Sequence, residues 1–158
     1  MFREMRRKKQ EMSESMNMKV LQDGTSGVLA LLGDDDYPYA LPINYVFHEG
    51  KIYFHSAKSG HKIDAIRGHD KASFCVTDYE EIVPEKYTAY FRSVIAFGKI
   101  RILEKEDEIR RAIEVLAERF FPEDETGRRE EIERSWDRLC MIELSVEHMT
   151  GKQAIELS

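Results

Sequence analysis

The sequence predicts a mainly β protein, a β-barrel with peripheral helices, and three observations carry that reading. Apolar and aromatic residues alternate with polar ones through much of residues 27–104, the period of two that strands impose and helices do not. Turn residues punctuate those runs, as in "HEGK", and such turns between alternating segments mark hairpins. Helical spacing is confined to the start of the chain, a short stretch after residue 60 and residues 107–136. Many antiparallel-type strands with few helices point to a closed or split barrel, which removes its own edges.

The elements follow in order. Residues 10–22 tolerate a helix, with Met12, Met16 and Val20 four apart, and "DGTSG" breaks it. "GVLALLG" is a short apolar strand and "DDDYP" a turn. "YALPINYVFHEGKIYFHSA" reads as two strands joined at Glu49–Gly50. "KASFCVTD" is another strand, "YEEIVPEK" a polar connection, and "YTAYFRSVIAFGKIRILE" a long strand with Gly98 at a bend or bulge. Ile109, Ile113, Leu116 and Phe120 define a helix from Asp107 to Phe120, "PEDETG" ends it, and a second helix runs to about Trp136. "LCMIELSVEHM" closes the chain as a strand.

Length is that of one domain, 1–158, with an N-terminal arm and helix over 1–24 and peripheral helices over 107–136. A net charge of -6 argues against a nucleic-acid footprint, so any bound anion must meet a local positive site. Cys75 and Cys140 have no CxxC spacing and read as reduced, buried thiols. The histidines, 48, 55, 61, 69 and 148, lack a metal-site spacing, and no metal is expected. The basic opening "MFREMRRKKQEMSES" reads as a solvated, partly helical arm, and with no apolar signal core after it the expected location is cytoplasmic.

One junction concentrates chemistry. In "YFHSAKSGHKIDAIR" a strand breaks into helical spacing with His55, Ser56, His61 and Lys62 crowded at the turn. Ser59 is positioned to cap a helix whose Ile63 and Ile66 face inward, so free backbone N–H groups open beside Lys62. Helix N-termini attract anions, and phosphate is the natural ligand; the alternative is a plain strand-to-helix junction. Pro42, which cannot donate to a ladder, places the strand "YALPINYV" at an edge or irregularity.

The arrangement "YPYALPINYVF…GKIYFHSAKSGHKIDAIR…KASFCVTD" followed by "FRSVIAFGKIRIL" resembles the flavin-binding split-barrel proteins related to pyridoxamine 5'-phosphate oxidase, and within them the branch associated with 5-nitroimidazole resistance. The resemblance implies a six-stranded antiparallel split barrel, flavin mononucleotide (FMN) as cofactor, and a homodimer with FMN at the subunit interface. It sets Leu41, Pro42, Ile43 and Asn44 beside the isoalloxazine ring, His55, Ser56, His61 and Lys62 on the phosphate, and Ser93 near the ring from a neighbouring strand. Trp136 either covers the partner subunit's flavin or anchors a helix to the barrel. No catalytic residue is assigned beyond His55, the nearest candidate proton donor, because a flavin carries the redox chemistry itself.

The arginine-rich closing segment of authentic pyridoxamine phosphate oxidases is missing here, where the chain ends "LSVEHMTGKQAIELS", so a different small-molecule substrate is expected. Three classes stay open: an FMN-dependent oxidoreductase reducing a small flat acceptor such as a nitroaromatic; a flavin- or haem-binding protein without efficient turnover, with His48, His55 or His148 as haem ligands; and a structural interaction protein.

Overall fold

A computed structural model describes residues 1–158. Seven strands form one sheet: β1 (Ser26–Leu32), β2 (Pro38–Asn44), β3 (Val46–His48), β4 (Lys51–Ser56), β5 (Lys71–Val83), β6 (Thr88–Ile102) and β7 (Cys140–Gln153). Four helices accompany it: α1 (Glu14–Asp23), α2 (His61–Gly68), α3 (Glu106–Phe120) and α4 (Glu125–Ser135). The strand order is β2-β1-β5-β6-β7-β4-β3, with every pair antiparallel. The mainly β expectation holds, whereas the expected six strands become seven in a sheet whose edge strands do not pair.

The extra strand arises at Tyr45. Residues 38–44 pair with β1 and residues 46–48 with β4, so what reads as one strand in the sequence leaves one edge of the sheet and enters the other across a single residue. The Tyr45 N–H bonds Thr25 O at 3.1 Å, outside the ladder, and its fully buried phenol donates to Leu21 O at 2.6 Å. The sheet therefore curls until its two edges meet at this side chain.

Inside the curl, Leu29, Tyr45, Phe54, Phe74, Ile142 and Leu144 are fully buried. Phe74 takes Tyr45 and Phe54 edge-on at 4.9 and 5.2 Å between centroids, a favoured aromatic arrangement. A second apolar cluster, Val46, Leu103, Ala112, Ile113, Leu116, Ile132 and Met141, seats α3 and α4 on the outside of the sheet. Buried Glu143 ties that layer down by accepting from Arg101 Nε at 3.1 Å, while Arg101 also pairs with Glu108 of α3 at 3.0 Å.

The Glu49–Gly50 turn forms with both residues at positive φ, 50° and 77°, as a two-residue hairpin turn demands. Gly98 sits at a register shift between β6 and β7, and a Cβ there would lie 1.9 Å from Ser145 O. Two expectations change. "YEEIVPEK" is strand as far as Val83, because residues 79–83 and 88–92 form a projecting hairpin whose polar side chains face solvent. The N-terminal arm is not wholly solvated either: Met12 N–H bonds Gly151 O at 2.9 Å, and Phe2 stacks on His148 at 4.8 Å. No helix is long and apolar enough to cross a membrane.

Candidate functional site

The β4–α2 junction is built as a strand running into an uncapped helix. Gly60 holds the N-cap position at φ 128° and ψ 179°, and no side chain caps α2. The expected Ser59 cap does not form, because that role falls one residue later, on a conformation that glycine alone adopts readily. The first-turn amides of α2 thus have no side-chain partner, at the positive end of the helix dipole.

Two cations, Lys58 and Lys62, flank that start in the sequence, and a third, Arg67, stands in the last turn of α2. Lys58, Lys62 and Arg67 form no ion pair, although the chain as a whole carries -6. Their combined field registers on Cys140, the β7 partner of Ser56. Burial pushes that thiol's pKa up, while Arg67, Lys62 and Lys58 pull it back down. Lys62 was expected from the sequence; Lys58 and Arg67 were not, although Lys58 lies within the same "KSGHK" run and Arg67 one helical turn past Ile63.

The neighbouring side chains have defined hydrogen-bond states. Ser56 Oγ donates to Ala57 O at 2.8 Å. The His61 ring stacks on Tyr39 of β2 at 4.0 Å, with 16° between planes, and its Nε2 accepts from Asp34 N–H at 3.3 Å. That bond leaves Nδ1 as the protonated, donating nitrogen of the neutral ring. His55 keeps an accessible edge, yet partial burial, and then the Lys62 cation, lower its pKa. Its imidazole is therefore neutral at pH 7.

Along β2, Leu41 and Ile43 are half-buried against the core, whereas Pro42 and Asn44 face outward. Pro42 lies on an edge strand, where its missing N–H leaves no ladder bond unmade. Asn44 Nδ2 donates to Thr25 O at 3.0 Å. Asn44 and His55, from opposite ends of the strand order, line one cavity of about 710 Å³ whose far wall is α3 and α4.

The family model for pyridoxamine 5'-phosphate oxidase matches residues 13–153. The chain belongs to the pyridoxamine 5'-phosphate oxidase family. No curated protein matches it. Solved structures of the same fold include a candidate 5-nitroimidazole antibiotic resistance protein from Bacteroides thetaiotaomicron, 16% identical with a TM-score of 0.76 over 90% of this chain and 86% of that one. A conserved hypothetical protein from Mycobacterium tuberculosis is 17% identical with a TM-score of 0.81, covering 95% and 90%. An FAD and haem binding protein from Mycobacterium smegmatis is 18% identical with a TM-score of 0.76, covering 92% and 73%. At these identities the likeness shows the fold.

Two residues that the pyridoxamine 5'-phosphate oxidase resemblance nominated stand apart from the junction. Ser93 lies on β6, opposite Thr77 and Lys152 and three strands from β2. Trp136 is half-buried against the outer apolar cluster, with the Arg110 guanidinium 4.3 Å from its ring. Within one chain it anchors the helical layer, and it borders a different cavity, of about 740 Å³, together with Lys58 and Cys140.

Proposed function

We propose that this chain is an FMN-dependent oxidoreductase acting on a small, flat acceptor such as a nitroaromatic. The observation that carries the reading is the uncapped start of α2 flanked by two lysines without ion-pair partners, Lys58 and Lys62, with His61 of its first turn stacked on Tyr39 of β2. An anionic terminus fits that cradle: backbone N–H groups and lysines are donors without acceptors of their own. His61 Nδ1 adds a neutral donor, Ser56 Oγ joins it once its proton turns from Ala57 O to the phosphate, and Lys58 and Lys62 supply the charge. Leu41 and Ile43 offer an apolar strand, with Pro42 and Asn44 outward, along which a planar ring system lies.

Flavin, when bound, supplies the electron transfer that no side chain here provides. The residues orient it, neutralise its phosphate and keep water from one face. His55, its charged form disfavoured by burial and by Lys62, can accept a proton or donate a hydrogen bond at the cavity wall, which fits a positioning role, and it supplies a proton only after taking one up.

Assembly as a homodimer belongs to the same reading, with the whole chain acting as one flavin-binding domain. The outward sheet face carries Val28, Ile95 and Phe97, each more than a third exposed, aligned with Pro42 and Cys75 across neighbouring strands. Monomers seldom leave such a contiguous apolar face to water, and Ser93, beside it on β6, is proposed to approach a flavin shared between two copies.

The deciding experiment is the visible spectrum of the purified protein and identification of any released chromophore, with Lys62→Ala and Ser56→Ala alongside. An oxidised-flavin spectrum weakened in both variants supports the reading, and release of FMN rather than FAD fixes the cofactor. A colourless chain that takes up no added flavin refutes it. A Soret band moves the chain to the haem class; there His148 faces the difficulty that Phe2 already stacks on its ring.

A further inference from the structure

From the cavity between the sheet edge and the helical layer, we infer that the acceptor site lies between β4 and the α3–α4 pair and takes a neutral, largely apolar molecule with one hydrogen-bonding head. The inference rests on the flavin reading for the identity of the occupant as electron acceptor, and on the cavity itself for the rest. Its volume, about 710 Å³, falls in the range of small-molecule sites, which are mostly apolar with a few placed polar groups. Ile113, Leu116, Ala117, Phe120, Ile132 and Leu139 make the walls. At the inner end stand His55 and Asn44, and Asn44 gives one of its two amide N–H groups to Thr25 O, which leaves its second N–H and its carbonyl oxygen for a ligand.

Charge decides the class. Lys58, Lys62 and Arg67 do not line this cavity. The one cation that does, Arg128, donates to Phe121 O at 2.7 Å and thereby pins the start of α4 to the end of α3. Asp124 and Glu131 stand on the same rim, Glu131 paired with Arg134 at 2.7 Å, so Asp124 and Arg128 offset each other and the mouth carries no net positive charge. With His55 neutral and Arg128 offset by Asp124, an anionic head finds no net positive charge inside, while a hydroxyl or other neutral polar head finds a donor or acceptor in both His55 and Asn44. Phe121, 64% exposed at the mouth, is an aromatic lip for a flat ring.

The test titrates the full chain, as purified, with 4-nitrobenzyl alcohol and separately with 4-nitrobenzoate, reading binding by ligand-observed NMR and flavin content by absorbance. The neutral compound binds about tenfold or more tightly than the anion. Ala117→Trp, which fills the cavity, lowers its affinity about tenfold with flavin content unchanged, and Phe121→Ala, at an exposed position that does not endanger folding, weakens it several-fold. Preference for the anion, or neutral-compound binding that neither variant alters, overturns the proposal. A chain that takes up no flavin yet binds the neutral compound in an Ala117→Trp-sensitive way keeps the cavity and removes the flavin reading, so the two failures are distinguishable.

Discussion

The Tyr45 phenol donates to Leu21 O at 2.6 Å at the one residue where the chain passes from β2 to β3. That hydrogen bond couples the C-terminal turn of α1 to the point where the sheet's edges meet, and so sets where Asn44 stands relative to β4. Tyr45→Phe keeps the ring in the core but leaves a buried carbonyl unpaired. The expected loss is about 1–3 kcal/mol by chemical denaturation, with weaker flavin retention as Asn44 shifts. A variant as stable as the parent would show that water satisfies Leu21 O and that the coupling is absent.

His55 titrates in the flavin-free chain below its ordinary value of 6.5, because burial and then the Lys62 cation disfavour the charged ring. Well above pH 7 the folded and unfolded chains are both neutral here, and the group no longer affects stability. As pH falls through 6.5 the unfolded chain takes up a proton that the folded chain resists, and stability decreases. An NMR titration of the ring protons measures this directly. Lys62→Ala raises the value without restoring it fully, since burial is the larger cause; a His55 pKa at or above 6.5 in the parent chain removes the argument.

Much of this architecture is legible in the sequence because local chemistry dictates it. The Glu49–Gly50 turn, the helix through Ile109, Ile113 and Leu116, and the Gly98 irregularity follow from turn residues, periodicity and a missing side chain. The break at Tyr45 is not legible, since "YALPINYVFH" alternates as one strand and only the exchange of partners from β1 to β4 divides it. Residues 79–82 read as a connection because the hairpin exposes side chains on both faces there, which erases the apolar period. At the site, the "KSGHK" turn announces an anion cradle, but the helix-lined cavity beside His55 joins residues that are distant in sequence, and no local pattern carries that information.

Gly60 is the residue on which the cradle turns. Its φ of 128° with ψ 179° belongs to a region that residues with a Cβ avoid, while a Cβ there would meet nothing within 4 Å. Gly60→Ala therefore isolates backbone strain from packing, and the expected cost is about 1–3 kcal/mol. If the chain relieves the strain by moving the start of α2, flavin affinity falls more than stability alone explains. Gly68→Ala, equally open in space but without a positive φ, is the control. Equal behaviour of the two variants in denaturation and flavin titration would contradict the assignment of Gly60 as the cap that aims the helix.

The apolar sheet face makes the last prediction. Val28, Cys75, Ile95 and Thr150 stand in one row across β1, β5, β6 and β7, and Ile95, 41% exposed, is central to it. A charge placed there costs the isolated chain little, because the side chain already reaches water, but burying it between two copies without a partner is strongly unfavourable. Sedimentation velocity is expected to give a dimer for the parent chain and a monomer for Ile95→Lys, with circular dichroism unchanged. Flavin content should fall with the dimer if each site draws on both copies, and should survive if the cradle at α2 is sufficient alone. A parent chain that sediments as a monomer while binding flavin fully would place the entire site within one subunit, and Ser93, three strands from β2, would then have no route to the ring.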